Sequence, residues 1–303
     1  MADTPVTIAV LGARSSEMRP IVAIFYVLMA MFVFSSQDTM SKLLVVDYSP
    51  FEIAWFRYGI NLVLVSPFLL RTRGRALASK MPWLQLARGA AVAGSAVVFM
   101  AGLGRLPLAD ATAINFVSPL VVTALSIPLL GEKVGPRRWT AVLIGFAGVL
   151  IIARPDSATF DIGAVFPMIS ATLWSIGLIL TRRIKGGESA LTTLTYSTLV
   201  GFIALTILLP FVWQPPTLRA AALLLAIGVV SVVGQYLVIL AYRSRPASVL
   251  APLSYTQMIW STLFGAIIFG AIPGLSTWIG GAIVVISGLY VLRRERVVRA
   301  RNA

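Results

Sequence analysis

Long apolar runs follow one another along almost the whole chain, separated by short stretches rich in Pro, Gly and charged residues. A run of about 20 apolar residues is long enough to cross the hydrocarbon core of a bilayer as one helix. Only 12% of the 303 residues are charged, about half the share that is usual in soluble domains. The chain is therefore expected to be an all-α integral membrane protein that has the lipid bilayer as a partner.

The apolar runs predict ten transmembrane helices. Their boundaries are set by Pro, Gly and charge clusters, and they cover residues 21–44, 51–70, 83–103, 107–130, 139–153, 161–181, 190–210, 219–241, 247–270 and 275–292. Every connection between them is short, so no soluble domain is expected inside the chain.

The Lys and Arg residues outside these runs are distributed very unevenly. Nineteen of the 25 lie in the two tails and in alternate connections, on one side of the predicted spans. The opposite side has three, namely Arg105, Arg154 and Arg219. Short cytoplasmic loops are enriched in Lys and Arg, so both termini are predicted in the cytoplasm of a bacterial-type inner (plasma) membrane. The net charge of +14 then reflects topology, and no nucleic-acid partner is expected.

The sequence contains no Cys and no His, which excludes disulfides, thiol nucleophiles, imidazole bases and the usual zinc and haem sites. An intramembrane enzyme, such as a lipid-phosphate hydrolase, would need clustered acids, bases or metal ligands. A channel would need a repeated carbonyl loop or a charged ring. We therefore expect no catalytic residue, metal site or cofactor, with the enzyme kept as a distant alternative.

The ten predicted helices divide into two sets of five that resemble each other at one constant offset along the chain. This repeat offset relates Pro107 to Pro246 and Gly131 to Gly270. Because five is an odd number, the second set must have the opposite orientation, as in the inverted repeats of secondary transporters. The predicted units are a cytoplasmic tail, two five-helix repeats and a basic cytoplasmic tail: 1–20, 21–153, 161–292 and 293–303.

The stretch 106–151 contains "PLADATA", "SPL", "LLGE" and "GFAGVLI". With these motifs the chain resembles the EamA-type group of the drug/metabolite transporter superfamily, although the second copy has "IFGAIPG" where the first has "LLGEKVG". The resemblance implies alternating access around a central cavity lined mainly by predicted helices 1, 3, 4, 6, 8 and 9. Its members include amino-acid and drug exporters and importers of riboflavin or S-adenosylmethionine.

The expected function is secondary active transport of a small organic metabolite, such as an amino acid or a related amphipathic compound. Uptake of a vitamin or cofactor such as riboflavin or S-adenosylmethionine is the alternative. Substrate identity, transport direction and coupling ion stay open, as does the choice between monomer and homodimer.

Four charged residues within the spans are candidates for binding, coupling or gating. Asp38 and Lys42 are four residues apart and share a helical face. Asp38 lies ~27 Å along its helix at ~1.5 Å per residue, a depth similar to that of Arg57. Asp38 is expected to bridge Lys42 and Arg57, either as a proton-coupling group or as a structural ion pair. Arg88, ~8 Å inside predicted helix 3, either snorkels to the surface or meets an anionic substrate group.

Polar and aromatic residues near the middle of the spans complete the predicted site. Trp174 and Trp260 lie about thirteen residues into their helices, where an indole N–H needs a polar partner. Interhelical packing and hydrogen bonding are the alternative roles for all of these residues. The candidates for substrate binding are Trp174, Trp260, Gln257, Asn115, Ser118, Tyr236, Gln235 and Arg88. Pro119 and Pro252 interrupt predicted helices 4 and 9, where they either free backbone carbonyls toward the cavity or are simple kinks.

Overall fold

The computed structural model describes residues 20–71, 78–131, 135–153, 162–184, 190–244 and 250–302. Within these ranges the chain forms eleven α-helices and no strand. The helices are α1 Pro20–Leu44, α2 Pro50–Arg71, α3 Pro82–Leu103, α4 Leu108–Asn115, α5 Ser118–Leu130, α6 Pro136–Ala153, α7 Val165–Arg183, α8 Ala190–Leu208, α9 Leu218–Ser244, α10 Thr256–Phe269 and α11 Leu275–Asn302. The predicted N-terminal tail lies outside the described residues, apart from Pro20.

The all-helical membrane architecture predicted from the apolar runs is confirmed. In the described part of the chain, seven helical stretches are long and apolar enough to cross a membrane, with α4 and α5 together forming one of them. Three shorter apolar helices cover Trp139–Ala153, Leu253–Phe269 and Leu275–Val291. Many large apolar side chains face outward, among them Leu218 and Phe211. Such a surface suits lipid and not water, and the chain is a multi-pass membrane protein.

Proline and glycine set many of the helix ends. The helices α1, α2, α3 and α6 each begin at a proline, which lacks an N–H that the first turn would leave unpaired. Gly131 ends α5 and Gly270 ends α10, both in the left-handed conformation with φ of 69° and 63°. Glycine adopts this conformation at little cost, whereas residues with a Cβ are disfavoured there. The two glycines are a pair that the predicted repeat offset relates, so equivalent helices end in the same way.

Predicted helix 4 is divided in the structure. The helix α4 stops at Asn115 and α5 starts at Ser118, with Phe116 and Val117 as the capping residues between them. Pro119 has no N–H to donate to the carbonyl of Asn115, so the helical ladder cannot continue through this point. Predicted helix 9 is also irregular at the equivalent position, where a 3-10 segment, Ala251–Tyr255, precedes α10. The rings of Phe116 and Tyr255, which the repeat offset relates, pack with their centroids at 5.1 Å.

The helices α1–α6 and α7–α11 pack mostly across the boundary between these two sets. The helix α1 contacts α9 and α10, as α7 contacts α3 and α5. In the same way, α2 contacts α9 and α8 contacts α3. Equivalent helices of the two sets also pack on each other, α2 on α8 and α6 on α11. Exchanging the two sets therefore leaves these main contacts unchanged. The polar residues of the spans lie at these interfaces.

Candidate functional site

Asp38 on α1 and Gln257 on α10 are in direct contact. The amide of Gln257 donates a hydrogen bond to the Asp38 carboxylate, with 3.0 Å between Nε2 and Oδ2. Both side chains are half-buried. The sequence predicts Asp38 as a coupling group and Gln257 as part of the cavity wall, and the structure brings the two together. A carboxylate among membrane helices is costly unless it is paired or hydrated, and here its partner is a neutral amide.

Lys42, one turn beyond Asp38, turns away from it. Its ammonium donates to the main-chain carbonyls of Leu103 and Leu106, each 2.6 Å from Nζ, and lies 5.5 Å from the ring centroid of Phe269. The last carbonyls of a helix lack partners within the helix and attract cations, and α3 ends at Leu103. The expected bridge from Asp38 to Lys42 is wrong for this reason, and Lys42 instead joins α1 to the C-terminal end of α3.

Arg57 on α2 lies beside Asp38 but is bonded to α9. Its Nε donates to the hydroxyl of Ser231 at 3.2 Å, and the Gln235 amide lies 3.5 Å from the same hydroxyl oxygen. Arg57 and Asp38 form no direct ion pair with each other in the described residues. We call Asp38, Arg57, Ser231, Gln235 and Gln257 the charged cluster. It joins α1 and α2 to α9 and α10.

A second polar group joins α3, α4 and α5 to α7. The Asn115 amide donates to Ser170 Oγ at 3.1 Å, and the hydroxyls of Ser95 and Ser170 lie 3.0 Å apart. The hydroxyl of Ser175 lies 3.0 Å from the Ser118 carbonyl oxygen at the start of α5. We call Ser95, Asn115, Ser118, Ser170 and Ser175 the neutral cluster. It is held by hydroxyl, amide and carbonyl groups alone.

The two clusters occupy related places in the fold. The repeat offset relates Ser118 to Gln257, and each bonds to the helix that packs beside its own, Ser118 to Ser175 on α7 and Gln257 to Asp38 on α1. The same position therefore carries a hydroxyl–carbonyl contact in one cluster and an amide–carboxylate contact in the other. Only the charged cluster can exchange a proton or attract a cation.

Aromatic rings lie next to the charged cluster. Trp260, three residues beyond Gln257 on α10, meets Phe32 edge-on at 5.1 Å between centroids. Phe264 also meets Phe32, at 5.7 Å. Trp260 also packs against buried apolar residues of α1 and α9, and its role in substrate binding stays a prediction. Trp174 and Tyr236 are 42% and 60% exposed, and the hydrogen bonds and ring contacts of the described residues do not connect either one to the two clusters.

Arg88 on α3 reaches between α7 and α8. Its Nε donates to Thr181 Oγ1 at 2.6 Å. Its Nη1 donates to the Thr193 carbonyl at 3.4 Å and to the Ser197 hydroxyl. These bonds keep Arg88 at an interhelical site near the ends of two helices, since Thr181 lies in the last turn of α7 and Thr193 in the first turn of α8. Both the snorkelling and the anion-binding interpretation of Arg88 stay predictions.

Several residues of these sites were not predicted from the sequence. They are small hydroxyl residues within apolar runs, namely Ser95, Ser170, Ser175, Thr181, Ser197 and Ser231. The signal that could have found them is helical spacing, because Ser231 and Gln235 are four residues apart and share one face of α9. Spacing alone does not say which neighbouring helix that face meets.

The model of the EamA-like transporter family matches residues 21–154 and again residues 161–293. The chain belongs to the EamA-like transporter family. This confirms the resemblance to the drug/metabolite transporter superfamily that the motifs in 106–151 indicate. As a member of this family, it is a membrane transporter of small molecules.

The relatives of this transporter include proteins with different cargo in their names. A riboflavin transporter of Rhizobium johnstonii is 29% identical over 281 residues, covering 91% of this chain and 93% of the relative. An S-adenosylmethionine uptake transporter of Rickettsia bellii is 26% identical and covers 93% and 97%. A pseudopaline exporter of Pseudomonas aeruginosa is 28% identical and covers 88% and 95%. A solved crystal structure, 19% identical, shares the fold with a TM-score of 0.59, covering 94% and 99%.

Proposed function

We propose that this chain is a secondary active transporter of a small organic metabolite that works by alternating access. Its ten spans would comprise the seven long helical stretches and the three shorter apolar helices, arranged as two inverted repeats of five. The double match of the family model and the main helix contacts that are unchanged when the two sets of helices are exchanged support this arrangement. The distribution of Lys and Arg supports an inner-membrane location with both termini in the cytoplasm.

The contact between Asp38 and Gln257 beside the rings of Phe32 and Trp260 is the observation that carries the proposal. It lies where a helix of the first set meets a helix of the second, which is where inverted-repeat transporters bind substrate. A carboxylate next to aromatic rings suits an amphipathic compound with a cationic centre. Asp38 would exchange a proton with the substrate site, which makes the proton the proposed coupling ion.

Amino acids and S-adenosylmethionine combine a cationic centre with apolar parts, and both fit this chemistry. Uptake of a vitamin or cofactor is the second candidate function, because the relatives include a riboflavin transporter and an S-adenosylmethionine uptake transporter. Riboflavin, which is uncharged, would depend on Trp260 and Phe32 more than on Asp38. Asn115, Ser118, Trp174 and Tyr236 are proposed as further parts of the substrate pathway.

A thermal-shift screen of the purified protein in nanodiscs tests the proposal. The panel contains amino acids, S-adenosylmethionine, riboflavin, nucleosides and cationic drugs. A ligand at one hundred times its dissociation constant stabilises the native state by about 2.7 kcal/mol. We expect one chemical class to raise the unfolding midpoint, and the shift to disappear in Trp260→Ala.

The matched control is Trp83→Ala, which removes an indole that is 80% exposed at the start of α3. Compounds that shift the midpoint are then tested for transport in proteoliposomes. A ligand that binds equally well to the wild type and to Trp260→Ala would contradict the proposed site. A panel without ligands, followed by proteoliposomes that accumulate none of its members, would contradict the proposed substrate classes.

A further inference from the structure

The Arg88 guanidinium is only partly satisfied by its surroundings. Three of its hydrogen bonds go to Thr181, Thr193 and Ser197 through Nε and Nη1. The Nη2 group makes no hydrogen bond to any residue that the structure describes. Because a guanidinium carries five N–H donors in a planar fork, two of the Arg88 donors are available to another group.

The positive charge of Arg88 has no carboxylate opposite it in the described residues. Its partners are neutral oxygens, and the hydroxyls among them donate their own protons elsewhere. Thr181 Oγ1 donates to the Gly177 carbonyl at 2.7 Å, and Ser197 Oγ donates to the Thr193 carbonyl at 2.8 Å. A cation among membrane helices is costly without a counter-ion and marks a functional site by default.

Tyr58 on α2 supplies a second and independent observation. The side chain is 3% exposed, and its buried hydroxyl has no hydrogen-bond partner. The guanidinium carbon of Arg57 lies 5.5 Å from the centroid of the Tyr58 ring. Its ring rests on the backbone of α8 at Gly201, where an added Cβ would lie 3.0 Å from the ring atoms. An unpaired buried hydroxyl is costly in the free protein and is a donor for a ligand.

We propose that Arg88 and Tyr58, with Arg57 beside them, form a subsite for an oxyanion group of the transported metabolite, a carboxylate or a phosphate. The two free N–H groups of Arg88, both on Nη2, can donate to oxygens of such a group, and the phenol O–H adds a third donor. The charged cluster on the other side of Arg57 takes the cationic or polar part of the same compound. The inference rests on the proposed transport function and narrows its substrate class to acids and zwitterions.

Site-resolved labelling with phenylglyoxal, which modifies accessible guanidinium groups, tests the subsite without knowledge of the substrate. The full-length protein is placed in phosphatidylcholine nanodiscs, and labelling of each arginine is followed by peptide mass spectrometry. Sodium sulfate is the probe, compared with sodium chloride at equal ionic strength. A site that is two-thirds occupied by sulfate slows labelling of Arg88 about threefold, while Arg105, stacked on Phe166, serves as an internal reference and keeps its rate.

Three outcomes of the sulfate experiment would overturn the inference. They are an Arg88 that sulfate does not protect, an Arg88 that never reacts, and equal protection of Arg88 and Arg105. The variant Tyr58→Phe removes only the hydroxyl, and it should weaken the protection by sulfate while leaving the unfolding midpoint close to that of the wild type. Protection by phosphatidylglycerol in the nanodisc, without sulfate, would assign the site to a lipid headgroup and also overturn the substrate subsite.

A second arm separates this inference from the proposed function. Any transported acid found in the metabolite screen is compared with its methyl ester as a competitor in proteoliposomes. Loss of a charge-assisted hydrogen bond should weaken competition by the ester about tenfold, and Arg88→Gln should abolish the difference. Transport that does not distinguish acid from ester would overturn the subsite and leave the transporter proposal intact. If the protein transports none of the compounds but sulfate still protects Arg88, the transporter proposal would be contradicted and the oxyanion subsite would stand.

Discussion

Asp38 is the residue on which proton coupling depends in the proposed mechanism. Its one direct side-chain partner in the described residues is the neutral amide of Gln257, and an amide can donate to a carboxylate or to a neutral carbonyl oxygen. The variant Asp38→Asn therefore keeps the size of the side chain and an acceptor for Gln257, and removes the negative charge together with the exchangeable proton.

Asp38→Asn should abolish accumulation driven by a proton gradient. One pH unit corresponds to about 1.4 kcal/mol, so a one-unit gradient coupled to one proton drives about a tenfold accumulation. In the variant the ratio should fall to unity while exchange of substrate continues. The measurement is uptake into proteoliposomes with an imposed pH gradient, and Asp47→Asn, at an exposed position after α1, is the control. A variant that accumulates substrate like the wild type would exclude Asp38 as the coupling group.

Lys42 contributes to stability by binding the end of α3. Lys42→Met keeps most of the side-chain volume and removes both bonds to the carbonyls of Leu103 and Leu106. The free energy of unfolding should fall by about 1–3 kcal/mol, because bonds from charged donors are stronger than neutral ones. Unfolding in mixed micelles measures the change, with Arg219→Met, which removes an exposed cation from α9, as the control. Equal stability of the two variants would show that the bonds of Lys42 to the end of α3 do not contribute to the free energy of unfolding.

The partners of the charged residues explain why the sequence predicted only part of the site. Depth in the membrane follows from counting residues along a helix, so Asp38 and Arg57 were placed at similar depth, but the direct partners of these two residues are Gln257 and Ser231. The carbonyls that bind Lys42 are 61 and 64 residues away along the chain, and the hydroxyls that bind Arg88 are 93 and 109 residues away. Such partners depend on how helices cross, which local spacing does not determine.

Most helices, by contrast, were predictable as elements because apolar length and proline positions determine where they run. Predicted helix 4 is an exception. It is one continuous apolar run in the sequence, but in the structure it is interrupted at Phe116 and Val117. Pro119 signals the interruption, but a proline near a helix start is also compatible with a continuous kinked helix. The break places the Asn115 amide on Ser170, and so an irregularity in one element creates part of the neutral cluster.

The equivalent ends of α5 and α10 give a prediction for stability at the scale of elements. Gly131→Ala and Gly270→Ala should each lower the free energy of unfolding by about 1 kcal/mol, because alanine disfavours the left-handed backbone. No atom of the residues that the structure describes lies within 4 Å of a Cβ added at either position, so the cost is conformational. Gly135→Ala is the matched control, since it has the same open space without a left-handed φ. Unfolding in mixed micelles should leave Gly135→Ala unchanged, and a similar loss there would refute the conformational explanation.

At the scale of the whole molecule, the two sets of helices share a packing pattern but differ in chemistry. The charged cluster joins α1 and α2 to α9 and α10, whereas the neutral cluster occupies the related place among α3, α4, α5 and α7. A transporter whose halves exchange roles needs a common framework for movement. Coupling to one substrate and one ion, however, needs charged side chains at only one of the two related positions. The asymmetry of the clusters fits this division between framework and site.

The absence of native cysteine makes the predicted topology directly testable, because each single-cysteine variant carries one thiol. Arg105→Cys and Gln214→Cys introduce thiols at exposed positions on the side predicted to face outward, and Lys80→Cys introduces one at an exposed position on the cytoplasmic side. An impermeant maleimide should label Arg105→Cys and Gln214→Cys in intact spheroplasts, and Lys80→Cys only after the membrane is permeabilised. The reverse pattern would invert the topology. The expected pattern would place the bond of Lys42 to the end of α3 at the outer end of the transporter and Arg88 nearer the cytoplasm.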